Sequence, residues 1–348
     1  MKAVVFTGPG QVRIDDVPSP EIREPRDAIV RVTKTAICGS DLHLLSGKTP
    51  GMRTGGVIGH EFVGTVESLG KDAGQHVEGT RVLGSFLIAC GHCTQCSSRR
   101  FNLCLQRRAL GLGTLTGDLD GAQAEYVRVP NADFNLKPLS GGLAGLDDEH
   151  ALFGGDIMTT GFYAAALTEA SEGASVVILG AGPIGLFTAT ALERRGARPL
   201  VVDVDPARVA GARELGHEAA EAGEELEGTV RGVTGGELAD VAVEAVGSTV
   251  AFKSALRVVR DGGRVVVIGV YGSERFDLPM GKVWIRGLDV RFSSMTNVHA
   301  HWDEALIAAA KGEIDPTRLI SHRLPLEEAE KGYELFGARA ARKVVLTP

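Results

Sequence analysis

Basic charge is the first thing in short supply. The chain has 37 lysines and arginines against 44 acidic residues, a net charge of −7. Neutralising a phosphate backbone needs a basic face, so no nucleic-acid partner is expected. Long apolar runs are missing too: none approaches the roughly 18 residues of a membrane span, so no membrane partner is expected. The opening "MKAVVFTGPG" has too few consecutive apolar residues for the core of a secretory signal. A cytoplasmic protein is therefore expected. Cysteine is scarce and odd in number, five residues in 348, which argues against a disulfide framework. Internal repeats and low-complexity linkers are absent as well. What remains, 44% hydrophobic and 23% charged residues, is ordinary globular composition. The length allows two domains, although a single barrel also fits it.

The first half is built of short Val-rich runs such as "KAVVF", "AIVRVTKTAI", "FVGTVESLG" and "TRVLGSFLI". Runs of β-branched residues between Gly, Pro and Asp predict an all-β barrel or sandwich. No helical pattern of any length interrupts them before about residue 150. From Thr160 the texture changes. "TTGFYAAALTEA" reads as a helix, "SVVILG" as a buried strand, and "PIGLFTATALERRG" as a helix. "PLVVDVD" (strand), "PARVAGARELG" (helix), "DVAVEAVG" (strand), "TVAFKSALRVVRDGG" (helix) and "RVVVIGVYG" (strand) follow. Such alternation predicts an α/β domain with a doubly wound parallel sheet. Two further helices and a last strand, "KVVLT", form a tail that either part could accept.

"GAGPIG" follows the strand "VVIL" and opens a helix, the context in which a glycine fingerprint binds a dinucleotide. Gly180 would permit the turn, Gly182 the approach of a pyrophosphate, and Gly185 close helix–strand packing, with Pro183 and Ile184 opening the helix. Asp203 ends the next strand, where a carboxylate would hold a ribose 2′-hydroxyl; the plainer role is capping the following helix. Val204 comes next, with no immediate cation to welcome a 2′-phosphate, and Arg208 follows four residues later. NAD is the expected cofactor.

Four of the five cysteines lie in "CGHCTQCSSRRFNLC". Cys90, Cys93, Cys96 and Cys104 can close a tetrahedral zinc shell that leaves no room for water, which makes a structural site. An iron–sulfur cluster uses similar spacing, but here the fourth cysteine lacks the proline that follows it in bacterial ferredoxins. His92 sits inside the cluster and is read as surface. Cys38, in "ICGSDLH", and His60, in "GHE", are a thiolate and an imidazole suited to a catalytic zinc, which needs three protein ligands and an open fourth position.

Together these residues are recognisable. "GHEFVGTVESLGKDA", with Gly59, His60, Glu61, Gly64 and Gly70, resembles the zinc signature of the medium-chain zinc-dependent alcohol dehydrogenases. "CGSDLH", the four-cysteine lobe, "DIMTTGF" and "GAGPIG" follow in that family's order, so the resemblance spans the chain. It implies a GroES-like β-barrel catalytic domain over residues 1–157 with a zinc lobe at 88–106. A Rossmann cofactor domain would cover 158–294, and 295–348 would return to the catalytic domain. Cys38 and His60 would bind a catalytic zinc, with Glu61 an alternate ligand and Asp41 orienting His60. Ser40 and His43 match the family's proton relay. The third ligand is usually a cysteine, but none follows Cys104, and the matching residue is Asp156, whose plainer role is a helix cap.

The mechanism so implied lowers an alcohol's pKa at the zinc, moves the proton through Ser40, the nicotinamide ribose and His43, and passes hydride to NAD. Thr160 would lie near the nicotinamide. Val246 to Ser248 and Ile268 to Gly272, including Val270, would line the cofactor, and Lys343 would reach the pyrophosphate. Phe86 suggests an apolar pocket wall. The expected substrate is a small or secondary alcohol; polyols, amino alcohols and formaldehyde adducts are the alternatives within the family. Two zinc ions per chain and a homo-oligomer, dimer or tetramer, are expected. A scaffold that only retained the fold, or a nucleic-acid-binding zinc module, is disfavoured by the acidic charge and the full catalytic set.

Overall fold

Strand Ala28–Ile37 runs antiparallel to Glu61–Leu69, with Ala36 opposite Glu61, and antiparallel to Val344–Thr347, with Ile37 opposite Val344. The computed structural model that shows this pairing describes residues 1–47, 51–271 and 276–348. Because the register is fixed, Cys38, His60 and Lys343, each one residue beyond a strand, emerge at the same end of three neighbouring strands.

The chain divides into two compact units, Met1–Thr159 with Met295–Pro348, and Thr160–Ser294. In the first, six strands lie in the order His322–Pro325, Val344–Thr347, Ala28–Ile37, Glu61–Leu69, Arg81–Gly84 and Leu136–Pro138. Tyr126–Val129 pairs with Ala28–Ile37 as a seventh. Alternate residues of one strand, Ala28, Val30 and Val32, meet Phe62, Val66, Val82, Val127 and Leu136 in one core. That period of two is what the Val-rich runs required. The first half also holds helices the sequence did not announce: Gly39–Leu45, Thr94–Ser97, Ala132–Asn135 and Asp148–Leu152. They span seven residues or fewer, too few to register as a helical period.

The second unit is a six-stranded parallel sheet ordered Ala219–Glu221, Arg198–Asp203, Ser175–Leu179, Ala239–Glu244, Val259–Val267, Asp289–Phe292. Chain order reverses between Ser175–Leu179 and Ala239–Glu244, the switch point where doubly wound sheets bind ligands. The helix expected through Gly263 stops at Val258. From Val259 onward the chain is strand, Ala239 pairing with Val259 before a register shift to Val241 and Arg264. Gly272, at the end of one expected cofactor segment, lies outside the described residues. No helix among the described residues is long and apolar enough to cross a membrane.

Candidate active site

Cys38 begins the helix Gly39–Leu45, and its backbone N–H donates to Asp41 Oδ2 at 2.9 Å. An acidic residue three places into a helix reaches back in this way to satisfy an orphan amide. The same carboxylate serves the site, since its Oδ1 lies 3.2 Å from His60 Nδ1. His60 is preceded by Gly59 at φ +86, where an added Cβ would fall 2.3 Å from Gln123 Cγ. Only glycine fits there. Asp156 follows a short 3-10 turn, Phe153–Gly155, and precedes the helix Ile157–Thr168. Its Oδ2 lies 3.3 Å from His60 Nε2 and 3.6 Å from Cys38 Sγ.

Cys38, His60 and Asp156 thus offer three ligand atoms within 4.8 Å of one another, all buried. A thiol, an imidazole and a carboxylate converging this closely fit zinc with three protein ligands. Burial pushes the Cys38 thiol up, and the Asp156 charge adds to it. Burial opposes a charged His60, yet the Asp41 and Asp156 carboxylates hold it well above its ordinary range. Burial likewise works against ionised Asp156, but its bond to His60 keeps it low. Without a metal the cluster holds protons that a metal would displace.

Ser40 Oγ is 3.1 Å from His60 Nε2, and His43 lies half-buried on the same helix. Phe86 packs its ring edge-on to His60, centroids 5.9 Å apart. Lys343 requires a correction. Expected at a pyrophosphate, it is 1% exposed, its Nζ donating to the Glu61 carboxylate and lying 5.5 Å from the centre of the Phe153 ring. Two opposite charges with nowhere to hydrate pair with each other. Burial pushes Glu61 up to about 7 against the pull of Lys343.

Cys90, Cys93, Cys96 and Cys104 form a second cluster, with sulfur pairs 3.5–3.9 Å apart. That is far beyond a disulfide bond and right for four thiolates around one ion. Backbone N–H groups of Cys90, Cys93 and Gln106 donate to these sulfurs, and such bonds, first that from Leu105, lower Cys93 to about 6. His92 is exposed, its Nδ1 at 2.8 Å from the Cys90 carbonyl.

In the second unit Gly180 turns at φ +114, and a Cβ on Gly185 would meet the Gly180 carbonyl at 1.9 Å. Gly182 caps the helix Pro183–Glu193, which begins Pro183, Ile184, Gly185. Asp203 Oδ2 accepts from Ala181 N–H at 2.8 Å and Oδ1 from Asp205 N–H at 3.0 Å, so it ties the turn together. Capping of the next helix falls to Asp205 instead. Arg208 Nη1 is 3.8 Å from Asp203. Val246 is exposed beside the Gly180 turn, Ile268 is buried, and Val270 is exposed. Thr160 is buried in the helix Ile157–Thr168.

Three residues escaped the sequence reading. Glu244, fully buried, accepts from the N–H groups of Val246 and Gly247. Gln123 and Tyr333 connect to Asp41. An amide inside the apolar stretch "GAQAEYVRV" was the available signal for Gln123; Tyr333 left none.

Three side chains able to hold a metal on a β-rich unit, in a chain whose middle segment folds as a doubly wound sheet, are the features expected of a zinc-type dehydrogenase. Residues 24–138 match the alcohol dehydrogenase GroES-like domain and residues 183–311 the zinc-binding dehydrogenase domain. An uncharacterized zinc-type alcohol dehydrogenase-like protein of Bacillus subtilis is 34% identical, with 100% of each chain covered. The structure of an alcohol dehydrogenase from Thermus sp. ATN1 superposes with a TM-score of 0.93 at 40% identity, covering 100% of this chain and 99% of that one. A zinc-binding dehydrogenase of Sinorhizobium meliloti 1021, solved bound to NADP, gives 0.84 at 30% identity over 100% and 99%. The chain belongs to the zinc-dependent alcohol dehydrogenases of the medium-chain dehydrogenase/reductase superfamily, with a GroES-like unit and a Rossmann unit, and it is an oxidoreductase.

Proposed function

We propose that this protein oxidises a small or secondary alcohol reversibly, using NAD and two zinc ions per chain. The observation that carries the reading is the convergence of Cys38, His60 and Asp156 beside Ser40. Those three side chains would hold the catalytic ion, and the four-cysteine cluster the structural one. Zinc bound at Cys38 supplies Lewis acidity that lowers the pKa of an alcohol hydroxyl. NAD supplies the hydride acceptor. Ser40 Oγ would take the alcohol proton, the nicotinamide ribose would carry it on, and His43, three residues along the chain, would release it to water. Asp41 keeps His60 oriented through Nδ1. Lys343 holds the Glu61 carboxylate next door, so ligation by Glu61 requires that ion pair to open. Thr160, near the start of the helix Ile157–Thr168, would lie near the nicotinamide.

NAD preference rests on Asp203, whose charge repels a 2′-phosphate and accepts from ribose hydroxyls. A second reading, NADP, is favoured by the partly exposed Arg208 at 3.8 Å from that carboxylate and by the NADP bound to the Sinorhizobium relative. Self-association is supported by the edge strand Asp289–Phe292, with Phe292 68% exposed and, on the helix Met280–Ile285, Trp284 76% exposed. Apolar edges of this kind are normally covered. Five cysteines outside any disulfide suit a reducing compartment, in keeping with a cytoplasmic location.

The test is a panel of primary, secondary and polyol alcohols with NAD and with NADP, on protein of measured zinc content. Reduced dinucleotide should form, with kcat/KM at least about tenfold higher for NAD. Metal-replete protein that transfers hydride from no member of the panel overturns the reading.

A further inference from the structure

We propose that Gln123 and Tyr333 are positioning residues for His60: hydrogen bonds tie them to one oxygen of Asp41, whose other oxygen faces His60 at 3.2 Å. The proposal rests on the reading of Cys38, His60 and Asp156 as a zinc site. Tyr333, on the helix Ala329–Gly337, donates its hydroxyl to Gln123 Oε1 at 2.8 Å. Gln123 Nε2 donates to the Ala36 carbonyl at 3.1 Å and to Asp41 Oδ2 at 3.3 Å. Asp41 Oδ2 also accepts from Cys38 N–H, which leaves Oδ1 facing His60 Nδ1.

Each link has one workable orientation. A glutamine amide carries donors on one side and an acceptor on the other. Turned over, Gln123 would set its oxygen against two acceptors, the Ala36 carbonyl and the Asp41 carboxylate. The Tyr333 hydroxyl prevents this by donating to Oε1. Burial, with the Asp41 charge nearby, holds that hydroxyl well above its ordinary pKa, so it stays a donor. Two donors then pin one oxygen of Asp41, and the other faces His60 Nδ1 at 3.2 Å, where its charge favours a proton on that nitrogen. A histidine whose Nδ1 carries the proton presents a lone pair at Nε2, the atom that faces Asp156 and Ser40.

Gln123 also packs against the backbone that carries His60, since residue 59 has no room for a Cβ beside it. Its own main chain is held separately, its N–H donating to the Ile58 carbonyl at 3.0 Å and its carbonyl accepting from Val4 N–H at 2.8 Å. Removing the amide therefore leaves the strand contacts in place.

The experiment compares wild type, Q123M, Y333F and the double variant, all loaded with zinc. It reads release of each ion to EDTA and the visible spectrum with cobalt(II) at the Cys38 site. Q123M should lose the catalytic zinc about 10- to 100-fold faster, the range for partners that orient metal-bound histidines. Y333F should show a smaller acceleration and a shifted cobalt spectrum. The double variant should lie closer to Q123M than to the product of the two single effects, because Tyr333 acts mainly through Gln123 and adds only its own contact with Asp41. Release from the four-cysteine site should not change. Wild-type release and spectrum in folded Q123M and Y333F overturn the proposal, as does parallel loss of both ions with a lowered Tm. If Q123M fails to fold, Y333F, which removes a single oxygen, decides by the same two readouts. Wild-type protein that binds no metal at Cys38 overturns the zinc reading itself, and this proposal with it.

Discussion

Asp156 and Lys343 show how far a single side chain can be read from its neighbours. Asp156 has its carboxylate on His60 and Cys38, and as a ligand it would leave zinc more electrophilic than a second thiolate would. Asp156→Ala should strip one zinc and nearly abolish turnover while NAD binding survives. Metal analysis and dinucleotide titration check this. Were Asp156 only a helix cap, the change would cost about 1 kcal/mol and leave both metals in place. Lys343 is buried against Glu61, and removing one partner of such a pair leaves an uncompensated charge. Lys343→Met should destabilise the chain by roughly 3–5 kcal/mol in urea unfolding. The dissociation constant for NAD should stay within about twofold, because the ammonium is spent on Glu61; a tenfold loss, about 1.4 kcal/mol, would return it to the pyrophosphate.

At the scale of elements, the helix Val298–Ala310 carries His299 into an aromatic cage. The ring stacks on Phe134 at 4.7 Å and meets Phe101 and Trp302, with Nε2 at 2.9 Å from Asn135 Oδ1. Burial pushes its pKa down to about 3. The folded state thus holds His299 neutral where the unfolded chain protonates it near 6.5. Its contribution to stability is complete above that value and shrinks as pH falls toward 3, since unfolding then takes up a proton. Melting temperatures measured from pH 7.5 to 5 should fall for wild type, and fall less for His299→Gln.

The elements that could be read from sequence are those whose own residues determine them. "SVVIL" and "PLVVD" are long, β-branched and buried on both faces, as central parallel strands must be. "AAE" at Ala219–Glu221, "DVRF" at Asp289–Phe292 and "HRLP" at His322–Pro325 are strands because a neighbour offers an edge. Nothing in three or four residues announces that. The helices Leu226–Val233 and Met280–Ile285 were missed for similar reasons of length. For the site, residues 38, 60 and 156 could be grouped only through a family pattern. What brings the first two together is the pairing of Ala36 with Glu61. Tyr333 and Gln123 are 210 residues apart, and no local rule reaches that distance.

At the scale of the whole molecule, the four-cysteine lobe is a local knot of backbone N–H···S bonds around sulfurs 3.5–3.9 Å apart. An ion held by these four sulfurs would stabilise the lobe. Cys104→Ser should remove one metal per chain and lower Tm, with alcohol oxidation reduced far less than by Asp156→Ala. Differential scanning fluorimetry and metal analysis on the same sample check this.

The Glu61–Lys343 pair also imposes an order of events on biosynthesis. The two residues are 282 positions apart, so at roughly 5–20 residues per second the ribosome takes on the order of half a minute to supply the cation. Throughout that interval a carboxylate destined for burial has no counter-charge, and strand Ala28–Ile37 lacks its partner Val344–Thr347. Residues 160–294, by contrast, are contiguous and carry all six strands of their sheet. A contiguous unit can therefore be completed first, whereas the unit formed by residues 1–159 and 295–348 closes only when the last strand emerges from the exit tunnel.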